Sequence, residues 1–349
     1  MISNLNDYTI KSNASILDAL EKLNANPTYT LFVIDHDNRM IGSLTDGDIR
    51  RGLLQGLALE SPVCNFCHKQ FHYLGSEQPS PCYIKELKEL DINLVPILSE
   101  DHRIIRIINL QNIRNILPID AVFMAGGRGE RLRPLTDTTP KPLLPLGKKP
   151  IIAHNIERIR QYGISKLYIS IRYLGSMIKE RFKDGSGTGV EISYIEEDAP
   201  LGTIGAVSLV PHFSNDTVLV MNSDLFTNID LEEFYFHFKE TGSDMALAAI
   251  PYNISVPYAV MEVNNTDIVS FKEKPTYTYM SNGGIYLIKR DILEKIPHNT
   301  RMDATDLIQN LLNQKKKVTY FPIIGYWIDI GKPEDYKKAQ EFITYIEKR

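Results

Sequence analysis

Residues able to bind phosphate groups are concentrated in one short segment, MAGGRGERLRPLT at positions 124–136. Its three glycines let the backbone approach a ligand closely, and their N–H groups can form a concave anion site. Arg131 and Arg133 add guanidinium groups whose geometry suits phosphate oxygens. A few residues later, Lys141 lies between two prolines that restrict the backbone on either side. The segment therefore predicts a site for a phosphorylated ligand.

Two common nucleotide-binding motifs do not fit this segment. A G-x-G-x-x-G fingerprint that starts at Gly127 would need its last glycine at position 132, where Leu132 stands after Arg131, and Gly-Lys-Ser/Thr does not occur there. Neither the dinucleotide fingerprint nor the P-loop is therefore present. A plain surface turn is the alternative interpretation of the glycines.

Five further segments carry polar residues that could belong to the same site. They are residues 196–206 (EEDAPLGTIGA), 222–224 (NSD), 271–275 (FKEKP), 282–286 (NGGIY) and 325–333 (GYWIDIGKP). Taken singly, Asp224 could cap a helix, Glu273 and Lys274 could form a solvated pair, and Asp329 could be a structural hydrogen-bond acceptor. Their occurrence together and in order makes these separate explanations poor.

The elements that must position these residues alternate between strands and helices. Residues 119–125, 166–171 and 218–221 are predicted as buried strands, and Pro150 begins a helix that Gly163 ends. This alternation predicts a largely parallel α/β sheet with both faces covered, whose ligands bind beyond the carboxyl ends of the strands. A proline at position 118 predicts a boundary, with domains at 1–117 and 119–349.

The ordered segments resemble the sugar-1-phosphate nucleotidyltransferase family. Its signature is a strand, then A-G-G-x-G-x-R-L-x-P-L-T and then P-K-P, all present here in order, and the resemblance extends from Ile119 to about Tyr345. It implies a Rossmann-like (GT-A-like) mixed, mostly parallel α/β sheet. It also implies an enzyme that joins a nucleoside triphosphate to a sugar 1-phosphate and releases pyrophosphate. Such catalysis relies on positioning and charge neutralisation, because the attacking phosphate oxygen is already ionised.

The resemblance implies roles for individual residues. Arg131, Lys141, Asp224 and Lys274 are the expected catalytic residues, and Asp224 with Asp329 would hold Mg²⁺. The expected nucleotide-binding residues are Ala125, Gly126, Gly127, Gly129, Arg131, Glu196, Leu201, Gly202 and Thr203. The expected sugar-phosphate-binding residues are Glu273, Lys274, Asn282 and Gly283.

The sequence indicates the nucleotide and the sugar less closely than it indicates the site residues. Residues 200–205 (PLGTIG) look most like the P-L-G-T-A-G of guanylyl and related transferases, which favours GTP and leaves UTP, dTTP and CTP open. The chain is similar to a subgroup that includes glucosamine-1-phosphate and mannose-1-phosphate guanylyltransferase-like proteins of surface-glycan (legionaminic-acid type) pathways. This similarity favours glucosamine 1-phosphate or a related hexose 1-phosphate. Ala259 stands where the family often has a glycine beside the sugar, which leaves the fine sugar specificity open.

The first 117 residues contain a weak repeat. A helix, two strands and a second helix are predicted over residues 16–50 and again over 84–116, and a shift of about 64 positions places Thr45 and Asp48 on asparagines. The pattern resembles a tandem CBS-domain pair, an α+β module in which a T-x-x-D element can bind an adenine nucleotide. Thr45 and Asp48 are therefore candidate ligand residues. A structural or dimerising module without a ligand is the equal alternative, and such pairs commonly form homo-oligomers.

Three cysteines fall in one region of this N-terminal part. Cys64, Cys67 and His68 match the C-x-x-C-H pattern of haem attachment. That chemistry belongs to exported proteins, and no export signal is visible, so we reject it. Cys82, together with His68 or His72, could complete a set of four zinc ligands, which is a less favoured alternative.

Composition narrows the class of protein. The chain has 349 residues, 39 Lys and Arg against 43 Asp and Glu, and a net charge of −4. The lack of a basic excess argues against a dedicated nucleic-acid-binding protein, and the lack of an apolar run of about 18 residues argues against a membrane protein. The few cysteines and the lack of a visible signal peptide predict a cytoplasmic location. The alternatives to a sugar-nucleotide enzyme are a non-catalytic regulatory subunit, a phosphocholine cytidylyltransferase and an adenylate sensor.

Overall fold

The chain folds into two compact units. A computed structural model describes residues 4–26, 28–75 and 79–347. One unit comprises residues 1–117 with 161–163, and the other comprises residues 118–160 with 164–349. Within the described ranges, each helix is too short or too polar to cross a membrane.

The N-terminal unit contains two successive groups of helices and strands. Its elements are β1 (Thr9–Lys11), α1 (Ile16–Ala25), β2 (Thr30–Ile34), β3 (Met40–Thr45), α2 (Asp46–Leu54), α3 (Pro81–Glu89), β4 (Leu94–Leu98) and β5 (Ile104–Asn109). Strands β1, β2 and β3 form one sheet, and β4 pairs with β5 in another. Ser15 begins α1 with a capping box, in which Ser15 and Asp18 each accept a hydrogen bond from the other's backbone N–H. The apolar face of α1 is buried against β2 and β3.

The prediction of a closing helix in the second group is wrong. Residues 110–116 contain only a 3₁₀ turn, Leu110–Asn112. Asn109 accepts a hydrogen bond from the backbone N–H of Gln111, at 2.9 Å. The backbone returns to an extended conformation at Ile113 (φ −132°, ψ 153°), which ends the turn.

The C-terminal unit is an α/β structure around one large sheet. Its elements are β6 (Ile119–Met124), β7 (Pro145–Leu146), β8 (Lys149–Pro150), α4 (Ile151–Gln161), β9 (Lys166–Ile171), α5 (Gly175–Phe182), β10 (Glu191–Glu196), α6 (Gly202–Gly205), β11 (Thr217–Asn222), β12 (Leu225–Thr227), α7 (Leu231–Thr241), β13 (Met245–Ser255), β14 (Val260–Asn264), β15 (Asp267–Lys272), β16 (Thr276–Lys289), α8 (Arg290–Leu293), α9 (Ala304–Asn313), β17 (Val318–Pro322), β18 (Trp327–Asp329) and α10 (Pro333–Glu347).

The large sheet is mixed, as the family resemblance implies. Its seven strands lie in the order β10-β9-β6-β11-β16-β13-β17. The first four are parallel to one another, β16 is antiparallel to both its neighbours, and β17 is parallel to β13. Ala121, Val122 and Phe123 in β6 are completely buried, as expected for a central strand covered on both faces. The carboxyl ends of β6 and β11 therefore lie side by side.

One part of this unit projects from the sheet. Beyond Ala249 and Asn282, β13 and β16 continue as a two-stranded ribbon, and β14 and β15 pair only with each other. We call residues 250–281 the arm. Its residues are exposed or only half-buried along the whole length, whereas residues 283–288 of β16 are buried.

Candidate active site

The glycine-rich loop follows β6 at the carboxyl edge of the sheet. Gly129 has a φ of +64° and begins a 3₁₀ turn, Glu130–Leu132. Its carbonyl accepts a hydrogen bond from Thr136 Oγ1 at 2.9 Å. A Cβ at Gly129 would lie 3.0 Å from the Thr136 side chain and 3.1 Å from Lys141 Cβ. Glycine is thus required here both by backbone conformation and by the close approach of Lys141.

The loop opens onto two adjoining cavities. The smaller has a volume of about 350 Å³ and is lined by Met124, Ala125, Gly127, Gly129, Glu130, Arg131, Lys141, Pro142, Ser223 and Asp224. The larger has a volume of about 510 Å³ and is lined by Met124, Gly126, Gly127, Arg128, Gly129, Glu130, Arg172, Glu197, Pro200, Gly202, Thr203, Asn222, Asp224 and Asp303. They share Gly127, Gly129 and Asp224, so one continuous groove runs along the strand ends. Most of the expected nucleotide-binding residues lie on it.

Two expected nucleotide-binding residues lie outside the linings of this groove. Glu196 is exposed and forms an ion pair with Lys179. Leu201 is 3% exposed and belongs to the apolar interior. Its backbone N–H nevertheless donates to Glu197 Oε2 at 3.1 Å, which secures the segment beside the groove.

Glu197 is a residue that the sequence interpretation missed. Its carboxylate accepts hydrogen bonds from Ser170 Oγ and from the backbone of Leu201, and it lies against the glycine loop. A Cβ added at Gly126 would lie 2.5 Å from Glu197 Oε1. Of two consecutive glutamates at the end of a strand, alternation sends only one toward the ligand. The sequence does not show which one, because the choice depends on the register of β10 against β9.

An acidic pair lies at the groove: Asp224 lines both cavities, and Asp329 is its neighbour but lines neither. Asp224 follows β11 and Asp329 ends β18, and the backbone N–H of Ile330 donates to the Asp224 carbonyl at 3.2 Å. Leu225 lies opposite Asp329 in the β12–β18 ladder. Burial raises the pKa of Asp329, and the neighbouring Asp224 raises it further, while Lys141 and Arg131 oppose this shift.

Lys141 forms a buried ion pair with Asp224. It is 8% exposed, and its ammonium group donates to Asp224 Oδ2. The other oxygen, Asp224 Oδ1, is buried and has no hydrogen-bond partner among the described residues. An unsatisfied buried carboxylate oxygen is costly unless a cation binds it.

These carboxylates fit a hard divalent cation. Oxygen ligands are those that Mg²⁺ prefers, and Mg²⁺ is commonly held by one or two carboxylates together with substrate phosphates. A divalent ion would satisfy Asp224 Oδ1 and offset the repulsion from Asp224 that adds to the effect of burial on the pKa of Asp329. The residues present therefore fit the metal that the family resemblance implies.

The expected sugar-phosphate residues fall into two groups. Asn282 and Gly283 lie at the base of β16 near the groove, where a Cβ added at Gly284 (φ +71°) would lie 2.7 Å from the groove residue Asn222. Trp327 Nε1 donates to the Gly283 carbonyl at 2.8 Å and secures this strand. Glu273 and Lys274, by contrast, are exposed residues of the arm, and none of the four residues lines either cavity.

The T-x-x-D element of the N-terminal unit forms a helix cap. Thr45 Oγ1 and the Thr45 backbone N–H both donate to Asp48 Oδ2, at 2.6 and 2.8 Å. Arg51 donates to Asp48 Oδ1 at 2.6 Å. A cavity of about 460 Å³ lies beside this cap, lined by Thr45 but not by Asp48. The carboxylate is therefore engaged locally, and Thr45 is the candidate that reaches the cavity.

The cysteines are separate thiols. Cys64 and Cys67 are half-buried and Cys82 is exposed. Burial raises the pKa of Cys67, whose thiol donates to the Cys64 carbonyl at 3.5 Å. Among the described residues, the one group of three or more metal-binding side chains that converge closely is Asp35, His36 and Asp37 in a surface turn. The possible zinc ligands are not brought together as a group.

Comparison with known proteins finds two family models that match separate parts of the chain. The model of the nucleotidyl transferase family matches residues 120–345, and the model of the CBS domain matches residues 2–55. The matched relatives include a mannose-1-phosphate guanylyltransferase of Mycobacterium tuberculosis, 31% identical over 227 residues, which are 63% of this chain and 63% of the relative. A D-glycero-alpha-D-manno-heptose 1-phosphate guanylyltransferase of Campylobacter jejuni is 34% identical over 221 residues, covering 62% of this chain and 97% of the relative. The chain thus spans less than two thirds of the mycobacterial relative.

A solved structure shares the fold. The crystal structure of HddC from Yersinia pseudotuberculosis complexed with GMP-PN superposes with a TM-score of 0.51 at 25% identity. The superposition covers 64% of this chain and 99% of that one.

Proposed function

Because the chain belongs to the nucleotidyl transferase family and carries a CBS domain, we propose that it transfers a nucleotidyl group from a nucleoside triphosphate to a sugar 1-phosphate. The observation that carries the proposal is the groove itself. The glycine loop, Arg131 and Lys141 line the smaller cavity, and Asp224 lines both this cavity and the larger one. This arrangement places anion-binding and cation-binding groups side by side, as a metal-bound triphosphate requires.

The residues of the groove would act mainly by neutralising and positioning phosphate groups. The backbone N–H groups around Gly127 and Gly129 would hold the triphosphate. Arg131 would neutralise charge that develops on the departing pyrophosphate, and Lys141 would hold phosphate oxygens near the α-phosphorus. The attacking oxygen of the sugar phosphate is ionised near neutral pH, so these residues need not remove a proton. Mg²⁺ held by Asp224 and Asp329 would supply the remaining positive charge.

GTP is the proposed nucleotide. Within residues 200–205 (PLGTIG), Pro200, Gly202 and Thr203 line the larger cavity. Two relatives named as guanylyltransferases support this choice, and a structural neighbour was solved with a guanine nucleotide analogue. The proposed sugar substrate is glucosamine 1-phosphate or a related hexose 1-phosphate. A uridylyl-, thymidylyl- or cytidylyltransferase of the same fold is the alternative.

A pyrophosphate-release assay tests the proposal. Purified full-length protein is incubated with Mg²⁺ and each combination of GTP, UTP, dTTP and CTP with several hexose 1-phosphates. We expect turnover with at least one sugar phosphate, fastest with GTP. Absence of turnover with all combinations, together with retained nucleotide binding, would instead identify a non-catalytic nucleotide-binding subunit.

Two matched variants assign the activity to the groove. Asp224→Asn removes one charge at the carboxyl end of β11 and should abolish turnover while the protein stays folded. Asp216→Asn removes a carboxylate from the opposite end of the same strand, where the side chain is 82% exposed, and should leave turnover unchanged. Equal turnover of Asp224→Asn and wild type would contradict the metal assignment.

The N-terminal unit offers a second candidate activity, the binding of an adenine nucleotide. Its cavity of about 460 Å³ has the size of a small-molecule site and contains aromatic, hydroxyl and imidazole groups. Calorimetric titration with AMP and ATP tests this, using His68→Ala in the cavity wall and His36→Ala in an exposed turn as the control. We expect only His68→Ala to weaken binding; no heat of binding to wild type would support a purely structural or dimerising unit.

A further inference from the structure

Arg172 is a cation of the groove to which the reaction proposed above gives no task. It follows β9 at the carboxyl edge of the large sheet, is half-buried, and lines the larger cavity but not the smaller one. Among the residues that the structure describes, no side chain forms a hydrogen bond or an ion pair with its guanidinium group. A guanidinium has five N–H donors and no acceptor, so Arg172 is suited to a ligand that offers acceptors.

Arg172 and Glu197 flank the same glycine of the loop. A Cβ added at Gly126 would lie 2.5 Å from Glu197 Oε1 and 3.5 Å from Arg172 Cβ. The two residues come directly after neighbouring strands, and the backbone N–H of Glu197 donates to the Ile171 carbonyl at 3.0 Å. Both side chains line the larger cavity, so a positive and a negative group lie side by side on its wall.

The nucleoside part of a bound nucleotide would occupy this larger cavity. Arg131 and Lys141, to which phosphate groups are assigned, line the smaller cavity. The larger cavity adjoins it and has a volume of about 510 Å³, within the size range of small-molecule sites. A base held beside Arg172 and Glu197 has to offer acceptors to a guanidinium and donors to a carboxylate.

Guanine matches these two charges better than the other bases do. Its O6 and N7 are two neighbouring acceptors, and its N1–H and N2–H₂ are two neighbouring donors. Arginine commonly donates two hydrogen bonds to O6 and N7, because its planar fork has the spacing of these atoms. In adenine an amino group replaces O6. Uracil and thymine place one donor between two carbonyl oxygens, and cytosine offers a single donor group.

We propose that Arg172 sets the preference for guanine by donating two hydrogen bonds to O6 and N7 of the base of GTP. Glu197 accepts from the opposite edge of the base. The role of Arg172 rests on the proposed function only for where the nucleotide lies in the groove, and it includes no part of the phosphate transfer. Loss of Arg172 should therefore raise the KM for GTP and leave kcat almost unchanged.

Two analogues of GTP test the two edges of the base separately. In 7-deaza-GTP a carbon replaces N7, and ITP lacks the N2 amino group. Dissociation constants are measured by calorimetric titration of the full-length protein with Mg²⁺ present and sugar phosphate absent. We expect wild type to bind 7-deaza-GTP about tenfold more weakly than GTP, which corresponds to about 1.4 kcal/mol.

Variants assign this difference to one side chain. Arg172→Met keeps much of the apolar stem and removes the donors, so it should bind GTP and 7-deaza-GTP equally while it still binds ITP more weakly than GTP. Arg172→Gln is a polar second variant with the same expectation, should the methionine variant not fold. Arg128→Met is the matched control, because Arg128 is an exposed arginine of the same cavity that lies over the Tyr173 ring. It should leave the ratio of the two dissociation constants as in wild type.

Three results overturn the role of Arg172. They are equal binding of GTP and 7-deaza-GTP by wild type, a difference that persists when Arg172 is replaced, and loss of the ITP difference in the same variant, which would mean that the whole base has moved. The titrations need no turnover. A difference that depends on Arg172, in a protein that releases no pyrophosphate, would refute the proposed function alone. Turnover with GTP but equal binding of the two nucleotides would refute the role of Arg172 alone.

Discussion

Replacement of Lys141 by methionine should lower the stability of the metal-free protein and increase its affinity for a divalent metal. The two effects have one cause. Lys141 neutralises Asp224 when metal is absent. Its ammonium group binds one oxygen of the carboxylate that would also hold the metal. Methionine keeps much of the length and apolar volume of the side chain while removing the charge.

The expected loss of stability follows from burial. The side chains of Lys141 and Asp224 are 10% and 23% exposed. Removing one partner of a buried ion pair costs about 3–5 kcal/mol. The partial exposure of Asp224 reduces this, so we expect the free energy of unfolding to fall by about 2–3 kcal/mol.

The gain in metal affinity follows from charge repulsion. Two unit charges about 4 Å apart interact by about 4 kcal/mol at an effective dielectric constant of 20, and by about 1 kcal/mol in water. Removal of the ammonium group should therefore tighten metal binding by about 1.5–3 kcal/mol, which corresponds to a tenfold to hundredfold lower dissociation constant. Turnover should nevertheless fall at least a hundredfold, because the phosphate oxygens lose their contact with Lys141.

Urea unfolding in the presence of a chelator measures the first effect, and calorimetric titration with Mg²⁺ or Mn²⁺ in the absence of nucleotide measures the second. Lys149→Met is the matched control, because Lys149 forms an ion pair with Glu157 and is 51% exposed. It should cost no more than about 1 kcal/mol and leave metal binding unchanged. An unchanged or weaker metal affinity for Lys141→Met would falsify the assignment of Asp224 as the shared ligand of lysine and metal.

Two further substitutions test the loop and the sheet. Gly126→Ala places a Cβ 2.5 Å from Glu197 Oε1, so nucleotide affinity, measured by titration, should fall at least tenfold with little change in melting temperature; Gly187→Ala is the control, because its Cβ would have open space and Gly187 lines neither cavity of the groove. In Asp244, burial raises the pKa of the carboxyl group, but hydrogen bonds from the Lys317 backbone and from Lys289 outweigh it and hold the pKa below its ordinary value. Its ionised form therefore stabilises the folded state above the pKa of the unfolded chain, about 3.9, and this stabilisation is lost as the pH falls through the lower folded pKa. Asp244→Asn should unfold about 1 kcal/mol more easily at pH 7, and its difference from wild type in urea titrations should shrink below about pH 5; a constant difference down to pH 3 would contradict this.

Local features of the structure were readable from the sequence because their causes are local. The capping box of α1 depends on Ser15 and Asp18, which are three residues apart. The turn at Gly129 likewise depends on the backbone freedom of one residue. The buried strand β6 was recognisable from the apolar run that follows Asp120. The helix expected over 110–116 stops after a 3₁₀ turn because the backbone is extended at Ile113 and the N–H of Leu117 donates to the Tyr162 carbonyl instead of within a helix.

Other features depend on contacts between distant parts of the chain. Lys141 and Asp224 are separated by 83 positions, and their pairing exists only because β6 and β11 are neighbours in the sheet. Asp120 is completely buried in β6, where a carboxylate would be unexpected, and it is satisfied by Asn215, whose backbone and side chain both donate to it at 2.9 Å. Neither partner could be chosen from sequence spacing.

The sequence by itself determined the chemistry of this protein. It specified the phosphate-binding loop, the acidic residues suited to a divalent cation and the family to which the C-terminal unit belongs. Only the tertiary structure decided which of those residues share a groove. It placed Glu197 rather than Glu196 in the groove lining, engaged Asp48 in a helix cap, and placed Lys274 on the arm. Residue type and order are properties of the chain, but side-chain direction and proximity follow from strand register and packing, which depend on residues far apart in sequence.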